Sequence, residues 1–259
     1  MHRTLSLVAS VNIAVLLAAI SGCAQIKPNL PAVQQVISIT KETALEPATW
    51  VPFTAAAVIS VAGVDNEISD WATDNTPVFG SPGSANSASD LLRDTLVTSA
   101  LITSVFAPIK PAEDNFRIRR VVATALGQST AAGIVQSGKL TFRRERPNER
   151  DDRSFPSGHS GSSFTSAVLI EQNINETIQK PWLRKSIKAG TTGTAAAVAW
   201  ARVEAGEHFP VDVLFSAALG NLVAKVFYRS LVSEYRTNVP QLTIDASRNN
   251  VKIGFNHSF

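Results

Sequence analysis

Residues 139–159, KLTFRRERPNERDDRSFPSGH, and residues 202–212, RVEAGEHFPVD, hold three short polar clusters set among apolar stretches. The apolar stretches predict helices, so the polar clusters are expected near helix ends. Together the clusters supply three cations, two imidazoles and a carboxylate, which are Lys139, Arg146, Arg202, His159, His208 and Asp212. Groups of these types can bind a phosphate and transfer its phosphoryl group.

Length and charge limit the classes of protein that fit this sequence. The 259 residues are enough for one sizeable domain or two small ones. The 24 basic and 21 acidic side chains give a net charge of +3, which does not favour a nucleic-acid partner. The basic run 143–153 is interleaved with acids and is typical of a solvated, self-paired loop, from which we exempt Arg146.

The N-terminus has the pattern of an export signal. A basic start is followed by the apolar run 5–20, and the small residues Ser21 and Gly22 directly precede Cys23, the sole cysteine. This pattern resembles the lipobox of bacterial lipoproteins, which implies that residues 1–22 are a signal peptide and that Cys23 is lipidated. Residues 23–46 then form a tether, and Ala24 in place of an aspartate favours the periplasmic face of the outer membrane. An ordinary signal peptide or anchor is the alternative.

The rest of the chain predicts an all-α helical bundle with a short C-terminal β-hairpin. The uncharged stretch 47–64 contains two prolines and many small side chains, which favour a buried helix over a membrane span. Residues 75–88 predict a loop, and the alternating residues 241–246 and 251–255 predict the hairpin. Further helices are expected at 32–42, 90–109, 116–138, 157–172, 181–202 and 210–235.

The first two clusters suit an anion. Ser157 and Gly158 lie where a helix begins, and the first amides of a helix are unpaired and favour negative charge. Gly158 has no side chain to block the approach of an oxygen atom. Arg146 and Arg202 can each bind two oxygens in a planar fork, and Lys139 adds a point charge.

The third cluster suits a nucleophile. His208 and Asp212 are four residues apart and straddle Pro210, a residue that is favoured at the first position of a helix. A carboxylate that accepts the Nδ1 proton leaves Nε2 free to attack and stabilises the cation that forms. His159 is then the natural acid for the leaving group. Ser157-Gly158-His159 alone, or His208 with Asp212 alone, is also typical of a plain helix cap.

The combination Lys139-x6-Arg146-Pro147, Pro156-Ser157-Gly158-His159 and Arg202-x5-His208-x3-Asp212 resembles the three signature motifs of the type-2 phosphatidic acid phosphatase superfamily. That superfamily includes bacterial acid phosphatases, lipid phosphatases and vanadium haloperoxidases. The resemblance covers residues 47–236 and implies a helical bundle that works without a metal through a phosphohistidine. It implies His208 as nucleophile, Asp212 as its orienter and His159 as acid and base. It also implies phosphate binding by Lys139, Arg146, Ser157, Gly158 and Arg202.

One position departs from the superfamily pattern, because Ala201 stands where a serine usually precedes the arginine. The hypothesis is therefore a lipid-anchored phosphatase of the bacterial envelope that acts on phosphate monoesters or lipid phosphates. Residues 47–238 form its catalytic domain and residues 239–259 its tail. We expect no cofactor and inhibition by vanadate. The alternatives are a haloperoxidase that uses vanadate as cofactor and a non-catalytic envelope lipoprotein.

Overall fold

The computed structural model describes residues 32–108, 114–175, 177–233, 241–247 and 250–256. Within these ranges the chain forms eight α-helices: α1 Val33–Ala44, α2 Pro47–Ala62, α3 Asp65–Asn75, α4 Pro82–Phe106, α5 Asp114–Phe142, α6 Gly158–Ile174, α7 Pro181–Glu204 and α8 Pro210–Tyr228. A π-helical turn, Arg229–Ser233, continues α8. The predicted leader, Cys23 and the first part of the tether lie outside the described residues.

The tail contains a two-stranded antiparallel sheet. Strand β1 spans Gln241–Ser247 and strand β2 spans Asn250–Asn256. Gln241 pairs with Asn256 at one end of the ladder, and Ser247 pairs with Asn250 at the other. The predicted catalytic and phosphate-binding residues lie upstream of this sheet, on the helices of the bundle and the loops that connect them.

Helix α4 begins earlier than the sequence predicts. The loop expected at 75–88 ends at Ser81, because the Ser81 hydroxyl accepts a hydrogen bond from the Ser84 amide at 3.1 Å and Pro82 occupies the first helical position. Residues 87–90 therefore lie inside α4 rather than at its start. This shift places Asp90 and Arg93 on a helix that faces the predicted site.

Helix α5 also runs past its predicted end. It continues to Phe142, so Lys139 lies in its last turn rather than beyond it. Gly138 is helical here, and its role is close packing, because a Cβ at this position would lie 2.5 Å from Cδ of Pro156. The glycine thus allows α5 to contact the loop that leads into α6.

Helices α6 and α8 form the centre of the bundle, and α4, α5 and α7 pack around α6. The two central helices approach closely at Gly220, where a Cβ would lie 2.7 Å from the carbonyl oxygen of Gly161. Leu169, Ala195 and Ala224 are fully buried in the main core cluster. Nearer the site, the Ser160 hydroxyl donates to the Val213 carbonyl at 2.7 Å, which fixes the start of α6 against the start of α8.

Helix α2 packs on α8 but leaves apolar side chains exposed. Val61 is 90% exposed, and Phe53 and Val58 are more than half exposed. The prediction of a helix at 47–64 agrees with α2, but the prediction that it is buried is wrong for this face. An exposed apolar face of this kind typically marks a contact with a membrane or another protein.

The long helices share an uncharged central section. No Asp, Glu, Lys or Arg occurs at 47–62, 95–106, 121–138, 160–170, 189–201 or 213–224. By length and composition, the described helix Pro210–Ser233 could cross a membrane, although 61% of its apolar window is buried. The bent pair α1 and α2 passes the same test only if both helices count as one span. These are weak signals, because the core helix of a soluble protein passes the same test.

Candidate active site

The predicted site residues meet at one end of the bundle. Lys139 lies in the last turn of α5 and Arg202 in the last turn of α7. Ser157 caps the start of α6, and Asp212 lies in the first turn of α8. Because α5 and α7 end where α6 and α8 begin, residues far apart in sequence become neighbours. The site therefore combines the starts of α6 and α8 with the ends of α5 and α7, whose last turns carry basic side chains.

His208 is almost fully buried, with 1% of its surface exposed. Its Nδ1 lies 2.6 Å from the carbonyl oxygen of Ser154, and a carbonyl can only accept a hydrogen bond. Nδ1 therefore carries the proton, and Nε2 keeps its lone pair. Burial, together with the charges of Arg202 and Lys139, lowers the pKa of His208 to about 4, although Asp212 opposes the shift. The imidazole is thus neutral at neutral pH.

The orienting group of His208 differs from the prediction. Asp212 Oδ2 lies 3.7 Å from Nδ1, which is longer than a hydrogen bond, and the Ser154 carbonyl takes the predicted place of the carboxylate. The reason is that Asp212 is committed elsewhere. Its Oδ2 accepts the Phe209 amide at 2.9 Å and the Ser154 hydroxyl. Asp212 acts on His208 through its charge rather than through a direct hydrogen bond.

Arg144 completes the surroundings of Asp212. Its Nη1 donates to Asp212 Oδ1 and its Nη2 to Asp65 Oδ2, each at 2.7 Å, and its guanidinium lies 4.0 Å from the centre of the Phe209 ring. Burial alone would raise the pKa of Asp212, but His208 and Arg144 hold that pKa below its usual value. The prediction that Arg144 belongs to a solvated loop is wrong.

Hydrogen bonds hold one edge of the Arg202 guanidinium and one edge of the Arg146 guanidinium. Arg202 Nη1 donates to Asn86 Oδ1 at 2.6 Å and to Ser89 Oγ at 3.1 Å. Arg146 Nε donates to Asp151 Oδ1 at 2.6 Å. Burial lowers the pKa of Arg202 to about 10, which leaves it charged at neutral pH. Within the described residues, Nε of Arg202 has no hydrogen-bond partner.

Glu207 joins the other edges of the two arginines. Its carboxylate pairs with Arg146 Nη1 and lies 3.1 Å from Arg202 Nη2. It also lies 3.2 Å from Nη2 of Arg150, and the residue is only 5% exposed. Glu207 is not among the residues of the three sequence motifs, although its position directly before His208 is a signal for a role in the site.

Lys139, Ser157 and Gly158 flank the same region. Lys139 Nζ donates to the Arg153 carbonyl at 2.8 Å, and burial, with the nearby charge of Arg146, lowers the pKa of Lys139 to about 8. Ser157 is fully buried and its hydroxyl oxygen caps α6. At Gly158 an added Cβ would meet only Val135 Cγ1, at 3.8 Å, so the backbone there is accessible to a small anion.

His159 contacts two charged residues of α4. Its Nε2 lies 2.7 Å from both Asp90 Oδ1 and Arg93 Nη1. Burial, together with the charges of Arg202 and Arg93, lowers the pKa of His159 to about 3, although Asp90 opposes the shift. Neither α4 residue could be predicted from the motifs, because positions 90 and 93 lie far upstream of the polar clusters. His159 is therefore neutral when no anion is bound, and Asp90 is the group that favours its protonation.

Ala201 is fully buried near the end of α7, next to Arg202. The hydroxyl that the superfamily usually has at this position would therefore be buried as well. Arg202 keeps its two anchors on α4, Asn86 and Ser89, without it.

Comparison with known proteins gives three findings. A sequence profile of the PAP2 superfamily matches residues 135–236. Over 110 residues, or 42% of this chain, the sequence is 32% identical to the lipid A 1-phosphatase of Porphyromonas gingivalis, and the chain spans 23% of that relative's length. The crystal structure of a transmembrane PAP2-type phosphatidylglycerolphosphate phosphatase from Bacillus subtilis aligns with a TM-score of 0.54 at 21% identity, over 70% of this chain and 94% of that chain.

The profile match contains every predicted catalytic and phosphate-binding residue, from Lys139 to Asp212. The structural alignment shows a shared fold, and it covers more of this chain than the profile does. Residues 135–236 of this chain therefore match the PAP2 superfamily profile over all three sequence motifs.

Proposed function

We propose that this protein is a phosphatase that hydrolyses lipid phosphates through a phosphohistidine at His208. One observation carries the proposal. The Ser154 carbonyl accepts the Nδ1 proton of a buried, neutral His208, so the Nε2 lone pair is available for attack, and the charge of Arg202 is close enough to lower the pKa of this ring. A neutral imidazole with a fixed tautomer is the form that attacks phosphorus.

In the first step, Lys139, Arg146, Arg202 and the first amides of α6 bind the phosphoryl oxygens. Nε2 of His208 forms a bond to phosphorus as the bond from phosphorus to the ester oxygen breaks. The leaving oxygen takes a proton from His159. The positive charge that develops on His208 is stabilised by the Ser154 carbonyl and by the nearby carboxylate of Asp212.

In the second step, His159 removes a proton from water, and the water oxygen attacks the phosphorus of the phosphohistidine. His208 leaves as the neutral imidazole and phosphate is released. The acid role of His159 requires a protonated ring, whereas its pKa is about 3 without an anion. Asp90 beside Nε2 and the charge of an entering phosphate both raise that pKa, since opposite charges favour the protonated form.

The lipid class of substrate rests on three features. The curated relative is named a lipid A 1-phosphatase and the structural neighbour a phosphatidylglycerolphosphate phosphatase. The exposed face of α2 is apolar. A cavity of about 660 Å³ lies between α2 and α7 and is lined mainly by apolar side chains, among them Val51, Phe164, Trp200 and Leu214. A cavity of this kind suits an acyl chain.

We propose a location at the bacterial cell envelope. Lipidation of Cys23 would add an acyl anchor to the apolar face of α2, and two such signals hold a protein stably at a membrane where one is marginal. A Cys23→Ala variant exported by a cleavable signal tests the anchor. It should leave the membrane fraction, and retention after a carbonate wash would show that the helices themselves hold the protein there.

A phosphate-release screen tests the activity. The purified protein should release phosphate from lipid phosphates faster than from soluble monoesters, and it should do so after exhaustive chelation of divalent metals. Orthovanadate should inhibit competitively, because it adopts the geometry of the transition state. Activity that is lost on chelation and restored by Mg²⁺ or Zn²⁺ would contradict the mechanism. Halide oxidation by peroxide in added vanadate would support a haloperoxidase instead.

A further inference from the structure

The carboxylate of Glu207 occupies the edges of Arg146 and Arg202 that remain after their anchoring contacts. Asp151 holds one edge of Arg146, and Asn86 and Ser89 hold one edge of Arg202. The carboxylate of Glu207 pairs with Nη1 of Arg146 and with Nη2 of Arg202. These N–H groups have the fork geometry that binds two oxygens of a carboxylate or a phosphate.

Arg146 and Arg202 each have a side-chain anchor other than Glu207. Each guanidinium keeps its anchor to a different part of the chain if the carboxylate moves away, namely the 143–157 loop for Arg146 and α4 for Arg202. A residue needed only to orient them would be redundant. A carboxylate at this place instead resembles a bound anion, because it supplies two oxygens to cations of the phosphate site.

The surroundings of Glu207 also have spare donor capacity. Among the described residues, Nε of Arg202 is a buried donor without a partner, and a buried unpaired donor is costly. Three arginines surround the carboxylate of Glu207, and its two oxygens do not accept hydrogen bonds from all of their N–H groups. A phosphate has four oxygens and could satisfy more of them.

We propose that Glu207 is a built-in competitor for the phosphate site. It pairs with Arg146 and Arg202 when the site is empty, and a phosphate must displace it. This inference rests on the proposed phosphatase function. Competition by Glu207 raises the dissociation constants of phosphate and of ester by the same factor. An ester also gains binding energy from the rest of the molecule, so it stays bound at concentrations at which free phosphate leaves. Glu207 thereby promotes release of the product.

The Glu207→Gln substitution tests this competition, because it keeps the shape of the side chain and removes its charge. Calorimetric titration with sodium phosphate should show binding about tenfold tighter or more than in the wild type, the scale of one charge-assisted hydrogen bond. Product inhibition by phosphate in the turnover assay should strengthen by the same factor. Glu207→Asp keeps the charge but shortens the reach, and it should tighten binding less.

Glu204→Gln is the matched control. Glu204 is also buried in the same region, but it accepts the amides of Val78 and Phe79, at 2.9 and 3.0 Å, rather than an arginine. This variant should melt at a lower temperature without any change in phosphate affinity. Unfolding of Glu207→Gln would be seen in its melting curve, and Glu207→Asp then decides the question.

The outcomes separate this inference from the proposed function. Equal or weaker phosphate binding by a folded Glu207→Gln protein would show that the carboxylate orients the arginines, and the proposal would be wrong. It would be wrong also if neither wild type nor variant bound phosphate. If no phosphoester is hydrolysed but the variant binds phosphate more tightly, the competition stands and only the phosphatase function fails.

Discussion

The two histidines of the site are held by different kinds of partner. His208 is buried, and an uncharged carbonyl from the 143–157 loop fixes its Nδ1 proton. His159 keeps 20% of its side chain exposed, and its Nε2 contacts an acid and a base of α4. A carbonyl fixes one tautomer and does not titrate, whereas a charged pair responds to an entering anion. The first arrangement suits a nucleophile, and the second suits a group that must both give and take a proton.

The largest effect should follow from His208→Ala, which removes the nucleophile. Turnover should fall by more than about 10⁴-fold, the scale seen when a covalent nucleophile is lost. The phospho-enzyme should disappear when the protein is quenched after mixing with labelled substrate. His159→Ala is the control, since it should still form a phospho-enzyme from a substrate with a good leaving group. Label that persists on His208→Ala would assign the nucleophile to another residue.

His159→Ala should slow hydrolysis of an alkyl phosphate by roughly 10²–10⁴-fold, the usual contribution of general acid–base catalysis. The measurement compares kcat for an alkyl phosphate with kcat for an aryl phosphate whose leaving group needs no proton. The loss should be smaller for the aryl ester in the first step. If the burst rate and the steady-state rate both fall equally for the alkyl and the aryl ester, His159 is not the general acid.

Asp90→Asn should lower kcat by about tenfold, which corresponds to roughly one pKa unit at His159. Asp90 favours the protonated ring, so its removal lowers the pKa of His159, and the pH limb that requires this protonated form should move to lower pH. Asp94→Asn is the matched control, because Asp94 pairs with Arg93 at 2.8 Å but makes no contact with His159 among the described interactions. A limb that moves equally in both variants would refute direct action by Asp90.

The smallest effect concerns Lys139, whose positive charge is one of the causes that lower the pKa of His208. Lys139 has a pKa of about 8, so its cation is present below that pH and is lost as the pH rises through it. KM for a phosphate monoester should therefore rise between about pH 7.5 and 9, where the substrate itself is already a dianion. Lys139→Arg stays charged and should keep KM flat over this range. A rise that persists in Lys139→Arg would assign it to another group.

The helices show where sequence patterns were sufficient. The starts of α6, α7 and α8 lie within a residue of prediction, because Ser157, Pro181 and Pro210 carry local signals for helix initiation. The start of α4 differs by eight residues, since several serines could have capped it and only Ser81 does. The exposure of α2 was also missed, because an uncharged stretch looks the same in sequence whether it faces a core or the surface.

The site divides along the same line. The sequence by itself determined the residue types and spacings of Lys139, Arg146, His159, Arg202 and His208, because their order along the chain is a specific pattern. Only the tertiary structure showed that the Ser154 carbonyl fixes the tautomer of His208 and that Arg144 joins Asp212 to Asp65. It likewise brought Asp90 to His159 and placed Glu207 across two arginines. These partners come from separate helices and loops, and the packing of α4, α6 and α8, rather than any local propensity, decides which of their polar groups meet.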